Sequence, residues 1–413
     1  MSSVNLTPEQ EDVIYNMHVL LNDPDNNFMV VDGSAGTGKT TVISEIRNSL
    51  QTMSDMVGEN FDFHLCATTN KAVEVLASSV QCEVSTIFSL LGIRIHPEYK
   101  TPIFPKLGKI KIANALVVVD EYSYISQDLL DFLLEISHPL GLKFVFFGDE
   151  CQLAPVKHTY IPVADEGFLT VKLTKLLRQK SEDMQEINDK LKQFVIDNVF
   201  PTGLLSQTDN VRIYSVDEGD LFFTNLLTAL ENGNAKFVSY TNKRVSAVNK
   251  ELFKFIKQRT NFAKGDVLIN NKYKMLSKDC TVKTEQSIIV SSARDAQFVL
   301  EAEEGFNKAH AVTGQWIKSS SLSKEVFVPN SPNLFKLQDS PAITTYSRKK
   351  IENEWLDLRP EYACTVHKSQ GSTYSEVFLD LSDFSFVKDK ELSRLLYVAL
   401  TRSKDKIHIF GEL

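Results

Sequence analysis

Phe28-Met29-Val30-Val31-Asp32-Gly33-Ser34-Ala35-Gly36-Thr37-Gly38-Lys39-Thr40-Thr41 runs from an unbroken apolar tetrad through a glycine-rich turn into a helical pattern. The octet Gly33–Thr40 fits G-x-x-x-x-G-K-[ST], the phosphate loop, and follows a strand and opens a helix as that loop must. Such a turn curls the backbone N–H groups of Gly33, Ser34, Ala35, Gly36, Thr37 and Gly38 around phosphate oxygens. Lys39 then offers a point charge to the β/γ-phosphates and Thr40 a hydroxyl to Mg²⁺, with Thr41 next in the first helical turn. A plain turn before a helix is the bland alternative, and the strand–loop–helix context argues against it.

Outward from that stretch, Phe63–Ala67, Leu116–Val119 and Phe144–Phe147 read as further strands with helices between them. Their continuous apolar runs, without alternation, indicate strands covered on both faces, as in a parallel α/β sheet. A second set occupies Val211–Tyr214, Phe237–Tyr240, Ala363–Val366, Val377–Leu379 and Ile407–Phe410, with helices near Val245–Ile256 and Glu391–Leu400. Two such sets predict a tandem α/β architecture. Arg94–Lys111, with three prolines and a glycine, is too turn-rich for a helix and suits a hairpin insertion. Lys264–Ser347 is short-stranded and reads as a small β domain inserted in the second set.

The chain has 413 residues, 45 Lys+Arg against 53 Asp+Glu, a formal charge of −8, and 43% hydrophobic residues. That balance excludes a disordered or collagen-like chain and one that coats nucleic acid by bulk charge, while leaving room for a local basic groove. Five scattered cysteines without a CxxC pair exclude a common zinc-finger spacing and a disulfide framework. No secretory leader or run long enough to span a bilayer is read, so the expectation is a reduced, cytoplasmic, soluble protein (the host cell cytoplasm if phage-encoded) without a membrane partner.

Two acidic strand ends extend the nucleotide reading. Val117-Val118-Val119-Asp120-Glu121 places Asp120 to hold Mg²⁺ and Glu121 to orient and polarise an attacking water. Phe147-Gly148-Asp149-Glu150-Cys151-Gln152-Leu153-Ala154-Pro155-Val156 offers Gln152 as a γ-phosphate sensor, although a turn is an equal reading of that stretch alone.

The ordered set of short motifs resembles superfamily 1 DNA helicases, most closely the Dda-type phage helicases of the 5′→3′ branch (superfamily 1B). It begins with Leu6-Thr7-Pro8-Glu9-Gln10, the phosphate loop, Ala67-Thr68-Thr69-Asn70-Lys71-Ala72 and Ser85-Thr86-Ile87-Phe88-Ser89. Asp120-Glu121, Gly148-Asp149-x-x-Gln152-Leu153-x-Pro155-Val156, and Leu173-Thr174 with Arg178-Gln179 come next. Thr365-Val366-His367-Lys368-Ser369-Gln370-Gly371-Ser372 and Leu396-Tyr397-Val398-Ala399-Leu400-Thr401-Arg402 close it. Many phosphate-loop proteins share the first and second elements; the last two are far more specific.

The resemblance implies two tandem RecA-like domains, 1–93 with 112–177 and 178–263 with 348–413. A hairpin pin at 94–111 and an SH3-like β domain at 264–347 would be their insertions. It implies ATP and Mg²⁺ as cofactors, Gln10 at the adenine edge, Gly371 in the nucleotide site, and Arg178 and Arg402 as arginine fingers beside Lys39, Glu121 and Gln152. It also implies a single-stranded DNA track over Thr68, Thr69, Asn70, Lys71, Thr86, Phe88 and Pro155 on the first domain. Thr241, Asn242, Thr365, His367, Lys368 and Ser369 continue it on the second. Phe88 stands where close relatives often carry His, so stacking or core packing competes there with a polar contact. The hairpin holds five basic residues against Glu98, with Tyr99 and Phe104, and Phe104 falls near the place of the pin at a duplex fork.

The expected activity is ATP-dependent 5′→3′ translocation and duplex unwinding in phage-type replication, recombination or repair. The expected actor is a monomer whose partners are single-stranded DNA, the fork, and a single-strand-binding protein or replisome components. RNA unwinding, a small-molecule phosphotransferase and a non-catalytic accessory protein are the rivals. The seven basic residues of Lys236–Arg259 read first as a solvated helix face.

Overall fold

The structure, a computed structural model, describes residues 5–412 apart from 58–61, 81, 97–100, 156–157, 178–180, 202–205, 278–279 and 304–309. Arg178, Gln179, Tyr99 and Lys100 therefore lie outside the described residues. The chain forms two compact units, residues 1–240 with 365–413, and residues 241–364.

The larger unit holds two parallel sheets. In the first, the strands run in the order Ser85–Thr86, Asp62–Ala67, Ala115–Asp120, Lys143–Gly148, Phe28–Gly33 and Leu169–Leu173. All neighbouring pairs are parallel. Side chains alternate across a strand, so its two faces bury separate sets. Val30, Val117, Val119, Phe144 and Phe146 pack on one side, and Met29, Val31, Leu116, Val118, Val145 and Phe147 on the other. Each such side chain removed from water contributes roughly 1.5–3 kcal/mol before chain entropy is counted. That double burial is the reason these strands are apolar throughout. The exception is the edge strand Leu169–Leu173, which is mostly exposed and escaped the sequence reading for that reason.

The second sheet carries parallel strands Ala235–Ser239, Tyr374–Asp380, Ser403–Phe410 and Val211–Tyr214 in that order. Its core stacks Phe378 face to face with His408 at 4.0 Å. The expected hairpin pairs Arg94–Ile95 with Pro102–Ile103 antiparallel. The smaller unit holds the helix Asn242–Lys257 and short antiparallel strands, the longest pair being Ser292–Leu300 with His310–Lys318. Trp316 and Phe327 pack with Phe298 in its core, as expected of core residues.

Candidate nucleotide site and nucleic-acid track

The strand Phe28–Gly33 ends at the phosphate loop, and the helix Lys39–Val57 begins there. Gly36 and Gly38 take φ of +94° and +86°, backbone that an L side chain rarely adopts. A Cβ on Gly33 would meet Thr37 Oγ1 at 2.7 Å and Leu173 Cβ at 2.9 Å, so the loop is packed to its backbone. Lys39 Nζ donates to the Gly33 and Ser34 carbonyls, folding over the loop it serves. Gln10 is buried beside it: Oε1 accepts from Thr7 N–H at 3.0 Å and Nε2 donates to Thr37 O at 3.2 Å. In this state Gln10 braces the loop with both ends of its amide. On the far side, Leu177 N–H donates to Gly36 O at 2.8 Å, bringing the chain just before Arg178 against the loop.

Three acids, the buried Glu121 and Asp149 and the half-buried Asp120, lie at the carboxyl ends of adjacent strands. Burial pushes the Asp120 and Asp149 carboxyls up, with Lys39 pulling both back. Burial and then the Asp120 charge push Glu121 up to about 7, while Lys39 and Arg402 lower it. Glu121 also sits at φ +59°, ψ +52°, and its Oε2 is buried without a hydrogen-bond partner. A strained backbone with an orphaned carboxylate oxygen belongs to a working group. Asp32, which the sequence reading passed over, fixes the floor. Its Oδ1 accepts from Tyr122 Oη and from Glu150 N–H, both at 2.8 Å.

The second sheet supplies the opposing wall. Arg402 is 4% exposed, held by the Val398 carbonyl and the Thr401 hydroxyl, and its charge reaches Glu121. The charges of Lys39 on the first sheet and Arg402 on the second therefore both reach one carboxylate. Three further residues of the closing motifs cross between the sheets. Tyr397 Oη donates to Asp149 Oδ2 at 2.6 Å, Arg394 Nη1 donates to the Glu150 and Gln152 carbonyls, and Gln370 Nε2 donates to Gln152 Oε1 at 2.7 Å. Each lay inside a quoted motif or one turn before it, and only partnership in space gives it a role.

The donor set fits a magnesium nucleotide. Among the described residues no three His, Cys, Asp or Glu side chains converge as a metal cage. Mg²⁺ is ordinarily held by one or two carboxylates together with phosphate oxygens, the part open to Asp120 and Thr40.

The expected track is partly outward and partly inward. Thr68 Oγ1 donates to Glu121 O at 3.2 Å, tying the track's first residue to the acid. Thr69 Oγ1 accepts from Ala72 N–H as the helix Asn70–Val80 starts, and Thr86 Oγ1 accepts from Ser89 N–H. Lys71 pairs with Glu74 at 4.0 Å. Phe88 is half-buried against the core. Three expected contact residues have buried side chains. Pro155 and Ser369 are buried, with Ser369 Oγ donating to Val366 O, and Thr365 is 4% exposed with its hydroxyl accepting from Lys368 N–H. Thr365 caps the short helix Val366–Ser369, and the Ser369 hydroxyl is satisfied within the same turn. The outward positions of that segment are His367 and Lys368. In the smaller unit Thr241 caps the helix that Asn242 opens.

Phe104 is partly buried. Its ring lies 4.7 Å from Phe132 and packs on the first sheet's core, so it supports the hairpin from beneath. Beside it runs a groove of about 640 Å³ lined, among the described residues, by Arg94, Lys106, Lys109 and Lys111 with Phe88.

The family described as an AAA domain matches residues 5–212, and the UvrD-like helicase C-terminal domain matches residues 360–410. An uncharacterized protein of Acanthamoeba polyphaga mimivirus is 23% identical over 94% of this chain and 96% of its own. The RecBCD enzyme subunit RecD of Buchnera aphidicola subsp. Acyrthosiphon pisum is 24% identical over 94% of this chain and 70% of its own. A solved structure of Pif1 helicase, from work on DNA unwinding at forked double-stranded DNA, shares the fold with a TM-score of 0.51. It is 20% identical and covers 98% of this chain and 92% of that one. The two parallel sheets are accordingly two RecA-like domains.

Proposed function

The chain belongs to the AAA-domain family as a superfamily 1 helicase of the Pif1/RecD-like kind, and from that premise we propose that it couples ATP hydrolysis to 5′→3′ movement along single-stranded DNA, unwinding the duplex ahead. The observation that carries this reading is the seam itself. Glu121, with a free buried oxygen, lies under the charges of Lys39 from one sheet and Arg402 from the other. Hydrolysis of a phosphoanhydride needs that combination: positive charge on the transferring group and an acid to orient water.

Magnesium, held through Asp120 and Thr40, would neutralise charge on the phosphate oxygens. The chain's own residues do the rest. Glu121 takes the proton of the attacking water, Lys39 leaves the Gly33 and Ser34 carbonyls for the phosphates, and Arg402 meets the charge that develops. Arg178 serves as a second finger. Because the site has one wall on each sheet, a triphosphate draws the sheets together and its loss releases them. Thr68, hydrogen-bonded to the backbone of Glu121, is the point where that closure reaches the strand.

DNA lies across Thr69, Asn70, Lys71 and Thr86 on the first sheet and His367 and Lys368 on the second, with Thr241 and Asn242 as further contacts. Backbone amides serve where hydroxyls are turned inward. The hairpin faces the fork, and the β strands of residues 264–347 form the SH3-like insertion. A single-strand-binding protein or replisome component is the expected protein partner of a monomer working in cytoplasm. Among the described residues no helix is long and apolar enough to cross a membrane.

The deciding experiment measures ATPase stimulation by matched DNA and RNA oligomers and displacement of duplexes bearing 5′ or 3′ overhangs. Stimulation by DNA and displacement from a 5′ overhang are expected. Turnover indifferent to nucleic acid would overturn the reading.

A further inference from the structure

We propose that Gln370 is a positioning residue for hydrolysis: it sets which end of the Gln152 side-chain amide faces the nucleotide. The inference rests on the ATPase reading above and on the expectation that Gln152 senses the γ-phosphate.

Gln152 lies just beyond a strand of the first sheet and Gln370 belongs to the second domain, yet their side chains meet in the interior, 2% and 5% exposed. Gln370 Nε2 donates to Gln152 Oε1 at 2.7 Å and to Ser123 Oγ at 3.0 Å. The other end of the Gln370 amide, Oε1, is buried and accepts nothing. The neighbouring glycine fixes its position. Gly371 takes φ of +77°, and a Cβ there would stand 3.6 Å from Glu121 Oε1. The turn bearing Gln370 therefore passes beside Glu121.

A carboxamide has one donating and one accepting end, nearly identical in shape. Phosphoryl oxygens only accept. A Gln152 free to turn over would meet them with its oxygen as readily as with its nitrogen, and oxygen against oxygen is repulsive. By donating to Gln152 Oε1, Gln370 occupies the accepting end and leaves the Gln152 Nε2 hydrogens as the end that points elsewhere. One hydrogen-bonded chain joins Ser123, two residues beyond Glu121, to Gln370, which donates to both Ser123 and Gln152. Since its middle member comes from the second sheet, the chain is complete only while the two sheets are together. The correct face of Gln152 is thus offered in the closed arrangement and lost in the open one.

The test is a ranking that simple damage to packing would not produce. Gln370→Ala leaves Gln152 undirected. Gln370→Glu is nearly isosteric but accepts at both oxygens, so it draws Gln152 Nε2 toward itself and turns Oε1 to the phosphate. The DNA-stimulated kcat is expected to fall about tenfold in the alanine variant. In the glutamate variant it should fall by about 10²-fold or more, on the scale of losing one oriented donor. In a Gln152→Ala background both second substitutions should change kcat by less than about twofold, because residues acting through one another are not additive.

A glutamate variant at least as active as the alanine variant would overturn the proposal, as would losses that persist undiminished in the Gln152→Ala background. Should the glutamate variant fail to fold, the alanine cycle decides alone, and additive losses reject the idea. A wild-type chain whose turnover ignores DNA would instead reject the underlying ATPase reading.

Discussion

Tyr397 Oη donates a 2.6 Å hydrogen bond to the buried carboxylate of Asp149, joining a helix of the second sheet to the turn that carries Gln152. Arg394, three residues earlier and so on the same helix face, donates to the Glu150 and Gln152 carbonyls of that turn. One helical face therefore holds the turn by a carboxylate and by two backbone oxygens.

Removing the hydroxyl alone tests this. Tyr397→Phe keeps the ring and leaves Asp149 with one donor fewer inside the protein. A loss of about 1–3 kcal/mol is the ordinary cost of a buried group left unpaired. Urea denaturation should show a lower midpoint with an unchanged slope. A midpoint equal to wild type would mean that water or Lys39 replaces the bond.

Glu121→Gln should retain nucleotide binding and lose about 10²–10⁴-fold in kcat, the range for a missing general base. It should also alter stability with a definite sign. Burial raises this carboxyl from its ordinary 4.5 to about 7, so between those values the folded chain binds more protons than the unfolded one, and stability falls as pH rises. The neutral glutamine escapes that loss. Melting in EDTA should therefore favour the variant over wild type at pH 8, with the gap shrinking at pH 5. A gap that widens on acidification would reverse the assignment.

Gly148→Ala should destabilise the chain by about 1–3 kcal/mol, the usual cost of overfilling a packed interior. A Cβ there would lie 2.5 Å from the Tyr122 ring, which is buried and tethered to Asp32 and so has nowhere to go. Trimming Tyr122 to Leu in the same chain should recover part of the loss. Two independent, additive penalties would contradict the contact.

Phe104→Ala should reduce unwinding more than translocation, because it supports the hairpin proposed to meet the fork. Phe132→Ala distinguishes support from stacking on a base pair. It removes the surface 4.7 Å beneath the ring while leaving Phe104 itself. Equal losses of unwinding in the two variants are expected. An intact fork activity in Phe132→Ala would return Phe104 to the role of a free stacking pin.

The sheets were legible where strands are covered on both faces, since double burial leaves an unbroken apolar run such as Phe144–Phe147. Leu169–Leu173 was not legible, because an edge strand is satisfied on one side by solvent and need not be apolar. Phosphate-loop chemistry was readable from spacing because glycines there answer to backbone geometry. The crossing residues Arg394, Tyr397 and Gln370 were visible as letters but not as partners, for only folding brings 370 beside 152. Thr365, Ser369 and Phe104 show the converse. A polar or aromatic residue in a functional stretch reads as a contact, while local capping and core packing claim it first.

The groove beside the hairpin gathers four cations on a chain whose formal charge is −8. On the function proposed above, duplex phosphates settle here and shed condensed counterions, so the expected grip weakens with a log–log slope of about −0.9 per phosphate neutralised. Contacts made by capped helix ends and backbone amides carry less of that dependence. Ionic strength thus becomes a dial with two settings: a window in dilute salt where the motor both walks and splits, and a higher one where it still walks but slides off the junction.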